Sequence, residues 1–374
     1  MLLLDQGTIS ASSSLRGISI VSEREEIQSE IAQILRTNGL ENIKLINEDF
    51  LSSADITFSA EDSIGVIIDI NKETNVSAIT KQIFSAVPQN MWCCVVGDSD
   101  SISLAQKLLE DGILYFNSYS QLNQMVNKIV SGISIPKIRD TVKIAVLGCK
   151  GGIGSSLISA HIANEISTNK KVPVLLSQGP NGSQDLDLLF DKKLQGSIIE
   201  YSNNLDLYIG DLAELSPSIT DKYNFVIYDQ PIFNVKKDNL GHYFDAYSNF
   251  LLVVERKVGS LRIAKQFLDE CERIKSATGR PIRTFVCISD HSMENSKLMA
   301  KIDIEALLRN SVDAVIPFLK NTNTKNVLSI DFGRNGKKEI NDLMMKIIGA
   351  ISRNTKSKDK QGLFGNVLKK LVSN

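Results

Sequence analysis

Val142-Lys-Ile-Ala-Val-Leu-Gly-Cys-Lys-Gly-Gly-Ile-Gly-Ser-Ser-Leu157 is the stretch that decides the fold. An apolar run, Ile144 to Leu147, reads as a buried strand. A glycine-rich turn follows, and Leu157 to Ile166 reads as a helix. Strand, glycine loop and helix is the setting of a phosphate-binding loop. Gly151, Gly152 and Gly154 let the backbone turn several N–H groups inward, and such a nest at a helix N-terminus binds anions. The spacing GxxxxGK[ST] is broken twice, by Cys149 at the first glycine and by Ser155 at the lysine. Lys150 precedes the glycines instead. Ser156 stands where a hydroxyl ligates Mg²⁺.

Around this stretch, 374 residues with 43% apolar and 23% charged content predict two domains, each able to bury a core. A net charge of -1 argues against broad electrostatic binding of nucleic acid. Five cysteines form no CxxC pair, which speaks against a zinc ribbon or a disulfide framework and for a reduced, cytoplasmic setting. The N-terminus has no basic region before an apolar one, so no ordinary signal peptide is expected. No run of about 18 apolar residues occurs, so no span is expected either.

Residues 1–15 are serine-rich and read as a flexible arm. From 16 to 131 strands and helices alternate. Strands are expected at 17–21, 43–46, 64–70, 91–96 and 113–116, with helices at 23–36, 75–86, 101–110 and 121–130. That alternation implies a parallel, doubly wound sheet. Trp92, Cys93 and Cys94 fall in a buried-strand pattern. Gly and Pro at 132–140 mark a linker, and a second α/β domain covers 141–353. There, strands are expected at 171–176, 223–231, 250–255, 281–289 and 314–318, and helices at 260–272 and 338–351. The strand Tyr223–Pro231 delivers Asp229 to the phosphate end of the sheet.

The first domain resembles the receiver domain of two-component response regulators. Asp69, in Val66-Ile-Ile-Asp-Ile70, stands where that family accepts phosphate. The family's acidic pair is represented only by Ser22-Glu23, and its lysine by Asn117-Ser118. Without those charges an aspartyl phosphate and its metal lose their support. Asp69 is therefore expected to be a relic, and the domain a docking or dimerisation module.

The segment Cys149–Ser156 resembles the deviant Walker A loop, KGGxGK[ST], of the MinD/ParA ATPases. The resemblance implies ATP and Mg²⁺ held by Lys150, Gly151, Gly152, Ile153, Gly154, Ser155 and Ser156, with Ser156 and Asp229 on the metal side. It implies that Lys150 reaches the partner's phosphates across a nucleotide-sandwiched homodimer, and that Ser289 (or Asp290) occupies the adenine-reading position. Tyr223–Pro231 matches the family's Walker B strand and switch II. Its switch I carboxylates are missing at Ser177-Gln178-Gly179-Pro180, and Asp185 and Asp187 are no clean replacement. Both losses bear on phosphoryl transfer, so weak or absent hydrolysis is expected.

A receiver-like domain ahead of such an ATPase domain is similar to the TadZ/CpaE family of tight-adherence (Flp, type IVb) pilus-assembly proteins. That resemblance implies a cytoplasmic localisation factor, seated at a cell pole, that recruits the pilus secretion machinery. The alternative is an active MinD/ParA-type ATPase that positions another cargo. A signalling response regulator is a third reading, disfavoured by Ser22 and Asn117-Ser118.

Residues 354–374 form a polar linker and a tail. In Gly362–Val372, Leu363, Phe364, Val367, Leu368 and Leu371 recur at helical spacing beside Lys369 and Lys370. The tail resembles the membrane-targeting segment of MinD-type proteins, and docking on protein fits it equally. His161, His242 and His291 suggest no metal site.

Overall fold

The computed structural model describes residues 17–53, 55–132, 140–194, 198–235, 240–290, 298–320, 322 and 324–349. The arm at 1–15, most of the linker and the tail lie outside these residues. Among the described residues no helix is long and apolar enough to cross a membrane.

The first sheet contains β1 (Gly17–Val21), β2 (Ile43–Ile46), β3 (Ser63–Asp69), β4 (Trp92–Gly97) and β5 (Leu114–Asn117). Their order is β2-β1-β3-β4-β5, all parallel. The crossovers are helices α1 (Glu25–Thr37), α2 (Val76–Ala86) and α3 (Ile102–Glu110), and α4 (Leu122–Val130) follows β5. Helices on both faces explain why Val66, Ile67 and Ile68 are apolar without alternation: each side of the sheet is a core. Asn75 and Ser101 cap α2 and α3 by accepting from the N–H of Ala78 and Leu104. Trp92 departs from the expected core position. It is half-buried, and its ring covers Gly65, where a Cβ would stand 1.9 Å from it.

The second sheet contains eight strands: β6 (Val142–Gly148), β7 (Val174–Gln178), β8 (Ile199–Ser202), β9 (Leu205–Ile209), β10 (Phe225–Pro231), β11 (Asn249–Val254), β12 (Arg283–Ser289) and β13 (Ala314–Ile316). Their order is β13-β12-β11-β6-β10-β7-β9-β8, parallel except for β8. Helices α5 (Ser155–Asn169) and α11 (Gly333–Ile347) cover one face, with the short α6 (Leu186–Phe190). The other face carries α8 (Gly241–Ala246), α9 (Val258–Thr278) and α10 (Lys301–Leu308). Between β9 and β10 there are only a 3-10 turn, Leu212–Glu214, and α7, the four residues Pro217–Thr220.

The fold is thus α/β, with two doubly wound sheets. Several elements differ from expectation. The β8–β9 hairpin extends the sheet beyond β7, and no reading of the sequence anticipated it. The strand expected from 171 starts at Val174, because Lys171 is left-handed (φ 54°) and Pro173 lacks an N–H. The strand expected to reach Phe318 ends at Ile316. The helix expected from 338 begins five residues earlier, at Gly333.

Hydrogen bonds tie the foot of the second sheet to the end of α2. Asn224, 1% exposed, precedes β10. Its amide donates to Phe84 O (2.9 Å) and Val87 O (2.7 Å), and its Oδ1 accepts from Gln89 N (3.0 Å). Its side chain thereby satisfies carbonyls at the end of α2.

Candidate phosphate-binding site

Parallel strands deliver their functional side chains to one edge, the C-terminal ends, where open α/β sheets bind ligands. Here Gly148, Gln178, Asp229, Glu255 and Ser289 sit at or just beyond the ends of β6, β7, β10, β11 and β12.

The glycine loop shows which deviations matter. Only Gly152 (φ 72°) and Gly154 (φ 79°) hold left-handed backbone in this loop. Cys149 does not, so the missing first glycine leaves the backbone path intact. Cys149 is instead buried, with its N–H donating to Val253 O. Gly154 is the N-cap of α5 and supplies no side chain to cap it. The first helical bond runs from Ile158 N to Gly154 O, so the N–H groups of Ser155, Ser156 and Leu157 precede the intrahelical ladder. With the helix dipole behind them, they form an anion cradle.

Ser155 is the substantive loss. Its Oγ lies 2.9 Å from where a Cβ of Gly148 would stand, folded over the end of β6. A hydroxyl there carries no charge to a phosphate. Lys150 is half-exposed, and its Nζ pairs with Glu255 Oε1 at 2.7 Å. Burial pushes the Glu255 carboxyl up; Lys150 and then Lys257 outweigh this and hold it below the ordinary range.

Asp229, 3% exposed, accepts from Ser156 Oγ (2.5 Å), Ser159 Oγ (3.2 Å) and Gln178 Nε2 (3.3 Å). Burial pushes its carboxyl up despite these three donors, with Asp185 adding to the rise. Gln178 is fully buried. Its Oε1 accepts from Asp185 N (2.7 Å) and Leu186 N, and its Nε2 also donates to Asp185 Oδ1 (3.0 Å). A neutral amide therefore stands at the end of β7 and braces the next turn. Ser289 Oγ lies 3.7 Å from the Cβ position of Gly154, facing the loop. Asp290, the alternative, is paired with Arg256 at 2.6 Å. Ser159 was not foreseen, although it lies one turn after Ser156 on α5.

The donor set suits a phosphate on backbone N–H groups and a hard cation beside Ser156 and Asp229. Lys150, Gly151, Gly152, Ile153, Gly154, Ser155 and Ser156 line the loop in continuous sequence. Among the described residues no cluster of three or more His, Cys, Asp or Glu side chains is arranged for a metal. A cation here would therefore rely on the phosphate as well as on the protein.

The first sheet carries a second acidic edge. Asp69 ends β3 and is 6% exposed. Arg24 grips it with Nε (2.8 Å) and Nη2 (2.5 Å), and places Nη1 on Asp98 Oδ1 (2.7 Å). Ser22 Oγ (2.6 Å) and Asn71 N (2.9 Å) complete the shell of Asp69. Burial pushes the Asp98 carboxyl up, but Ser118, Arg24 and Tyr119 together hold it below its usual value. Ser118 donates to Asp98, and Asn117 Oδ1 accepts from Tyr119 N and Ser120 N. A guanidinium thus occupies the acidic edge. Arg24 was missed by the sequence reading, although it directly follows Ser22-Glu23.

No protein-family model matches the chain, and no curated protein matches it. Solved structures do. A ParA family ATPase from Chlorobium tepidum TLS is 19% identical over 55% of this chain and 98% of its own, with a TM-score of 0.41. The MinC:MinD cell division protein complex of Aquifex aeolicus gives 18%, 56%, 96% and 0.46. The septum site-determining protein MinD of Pyrococcus horikoshii OT3, complexed with Mg-ADP, gives 15%, 56%, 96% and 0.39. These are likenesses of fold, and the fold of this chain is read from its own strand order.

Proposed function

We propose that this chain is a nucleotide-switched localisation and scaffold protein for tight-adherence (Flp) pilus assembly. In this reading it binds ATP with Mg²⁺, dimerises around the nucleotide, and hydrolyses it weakly or not at all. It works in the cytoplasm at a cell pole, recruits the pilus secretion machinery, and contacts the inner membrane peripherally when the tail at 362–372 is free to reach it. One observation carries the proposal: the cradle of Gly152, Gly154 and the α5 N-terminus is intact above a Ser156–Asp229 pair, while Ser155 and Gln178 have replaced charge with neutral groups. Binding relies on the parts that remain, and turnover relies on the parts that are gone.

Each residue then has a role. The loop N–H groups and α5 orient the phosphates. Ser156 and Asp229 hold the cation's position, a role that ATP-bound Mg²⁺ would complete. Lys150 leaves Glu255 to meet the partner's phosphates. Ser289 faces the loop from the nucleoside side. Asp69, held by Arg24, serves the first domain as a docking module rather than as a phosphoacceptor.

Sedimentation with ATP and Mg²⁺, for wild type and Lys150→Ala, tests the core of this. The expected result is a nucleotide-dependent dimer in wild type, a monomer in the variant, and negligible phosphate release from both. Brisk hydrolysis abolished by Lys150→Ala would favour the active ATPase positioning another cargo. A fluorescently tagged chain is expected at one pole. Diffuse fluorescence, or foci unrelated to pilus secretion proteins, would sink the localisation role.

A further inference from the structure

The connection between β9 and β10 holds only the 3-10 turn Leu212–Glu214 and the four-residue α7 where a full crossover helix would fit, and a groove lies beside them. The cavity measures about 760 Å³ and runs along the face of β10 from Val226, beside Lys143, to Gln230. Val226, Tyr228 and Gln230 form its floor. Leu212 and Leu215 stand on one wall, and Tyr243 and Tyr247 on the other. Tyr228 and Tyr247 stack at 5.4 Å. Besides the tyrosines, four charged or titratable groups line it: Asp211, Asp221, Lys143 and His242. We infer that the chain's own C-terminal segment, Gly362–Val372, docks in this groove as a helix, in the place of the missing crossover helix.

Three features of the molecule select that occupant. The first is shape. An eleven-residue helix is about 17 Å long, and the stretch of β10 that lines the groove, Val226 to Gln230, extends roughly 17 Å. Leu363, Phe364, Val367, Leu368 and Leu371 supply an apolar stripe to meet the tyrosine and leucine walls. The second is charge. Lys369 and Lys370 accompany that stripe, and Lys356, Lys358 and Lys360 precede it with only Asp359 opposed. Asp211, which also accepts from Ala213 N, and Asp221 line the groove and outnumber Lys143 there.

The third is reach. The last turn of α11 is tied to β12, where Arg283 donates to Ile347 O (3.0 Å) and Lys346 O (2.7 Å). Arg283 lies in register with Asn249, Ile144 and Ile227 across β11, β6 and β10. The chain therefore leaves the described fold at the level where the groove begins, three strands away. Crossing three strand spacings and passing to the other face is a span of about 25 Å. Residues 350–361 reach up to about 40 Å when extended. A tether this short gives an effective concentration in the millimolar range, so modest intrinsic affinity suffices.

The inference does not rest on nucleotide binding, and the full-length chain tests it. Hydrogen exchange read by mass spectrometry is compared for wild type and Phe364→Asp, at two concentrations a hundredfold apart. The expected result is amides at 363–372 exchanging at least about tenfold slower than in the variant. Peptides covering 211–221 should slow in parallel, equally at both concentrations. Asp211→Lys with Asp221→Lys should release the tail, and Lys369→Glu with Lys370→Glu should restore it. That restoration separates lost docking from lost folding. Unprotected tail amides in wild type would overturn the inference. So would protection that appears only with vesicles of anionic phospholipid, which assigns the tail to a membrane. Protection that disappears on dilution would assign the groove to a second copy, and also overturns docking within one chain.

Discussion

Arg24→Ala tests whether a guanidinium stands in for the counter-charge that the acidic edge of the first sheet requires. Asp69 has a side chain 2% exposed, Asp98 10% and Arg24 21%, so the cluster is poorly screened. Removing Arg24 leaves Asp69 with the Ser22 hydroxyl and the Asn71 N–H. Breaking a buried pair from one side costs about 3–5 kcal/mol, because the remaining charge stays buried without its partner. Urea unfolding followed by Trp92, the chain's single tryptophan, reads this domain directly because Trp92 begins β4. The sign with pH follows from Asp98, whose folded value lies below its unfolded one. Its contribution is fully present above the unfolded value and is lost as pH falls towards the folded value. Arg24 is one of the groups that lower it. The gap between wild type and Arg24→Ala should therefore be largest near pH 7 and narrow below about pH 4. With the guanidinium gone, Asp69 and Asp98 are free to meet a hard cation, so Mg²⁺ should stabilise the variant and leave wild type unmoved. A variant within about 0.5 kcal/mol of wild type at neutral pH would refute the reasoning. So would an equal deficit across the whole pH range.

Three further outcomes are expected. Ser155→Lys returns a charged donor to the loop and should tighten ATP binding by about tenfold to a hundredfold, measured by calorimetry with Mg²⁺, given about 1.5–3 kcal/mol for a charge-assisted hydrogen bond. Asp229→Asn should raise the melting temperature of the nucleotide-free protein at neutral pH. Burial raises the Asp229 carboxyl, so its favourable contribution is present below the unfolded value and lost as pH rises through the folded one; the same variant should lose any Mg²⁺ dependence of ATP binding. Asn224→Ala removes three hydrogen bonds between the second sheet and the end of α2 and should cost about 2–4 kcal/mol. In that variant the Trp92 transition should separate from the circular dichroism transition, whereas coincident transitions would show that Asn224 does not couple the two sheets.

Much of the fold is legible because buried parallel strands announce themselves. Val66–Ile68, Ile144–Leu147 and Phe250–Val254 are continuous apolar runs, and each is buried on both faces. Ile199–Ser202 gives a weaker signal, since it is an antiparallel edge strand only partly buried. The glycine loop was legible for the same local reason: Gly152 and Gly154 mark left-handed positions next to a helix start.

The sequence by itself determined the local chemistry of this protein: where the backbone must turn, which stretches must be buried, and that Ser155, Gln178, Ser22 and Asn117 lack the charges their positions invite. Those properties depend on neighbours in the chain, so they can be read along it. Tertiary structure alone decided what replaced the missing charges. Arg24 is 45 positions from Asp69 and 74 from Asp98, yet it binds both carboxylates. Glu255 meets Lys150 across 105 positions, and Asn224 meets Val87 across 137. The groove over β10 likewise follows from an element that is short rather than from any residue that is present. Charge compensation and packing act through distance in space, and only the assembled sheets bring those groups within range.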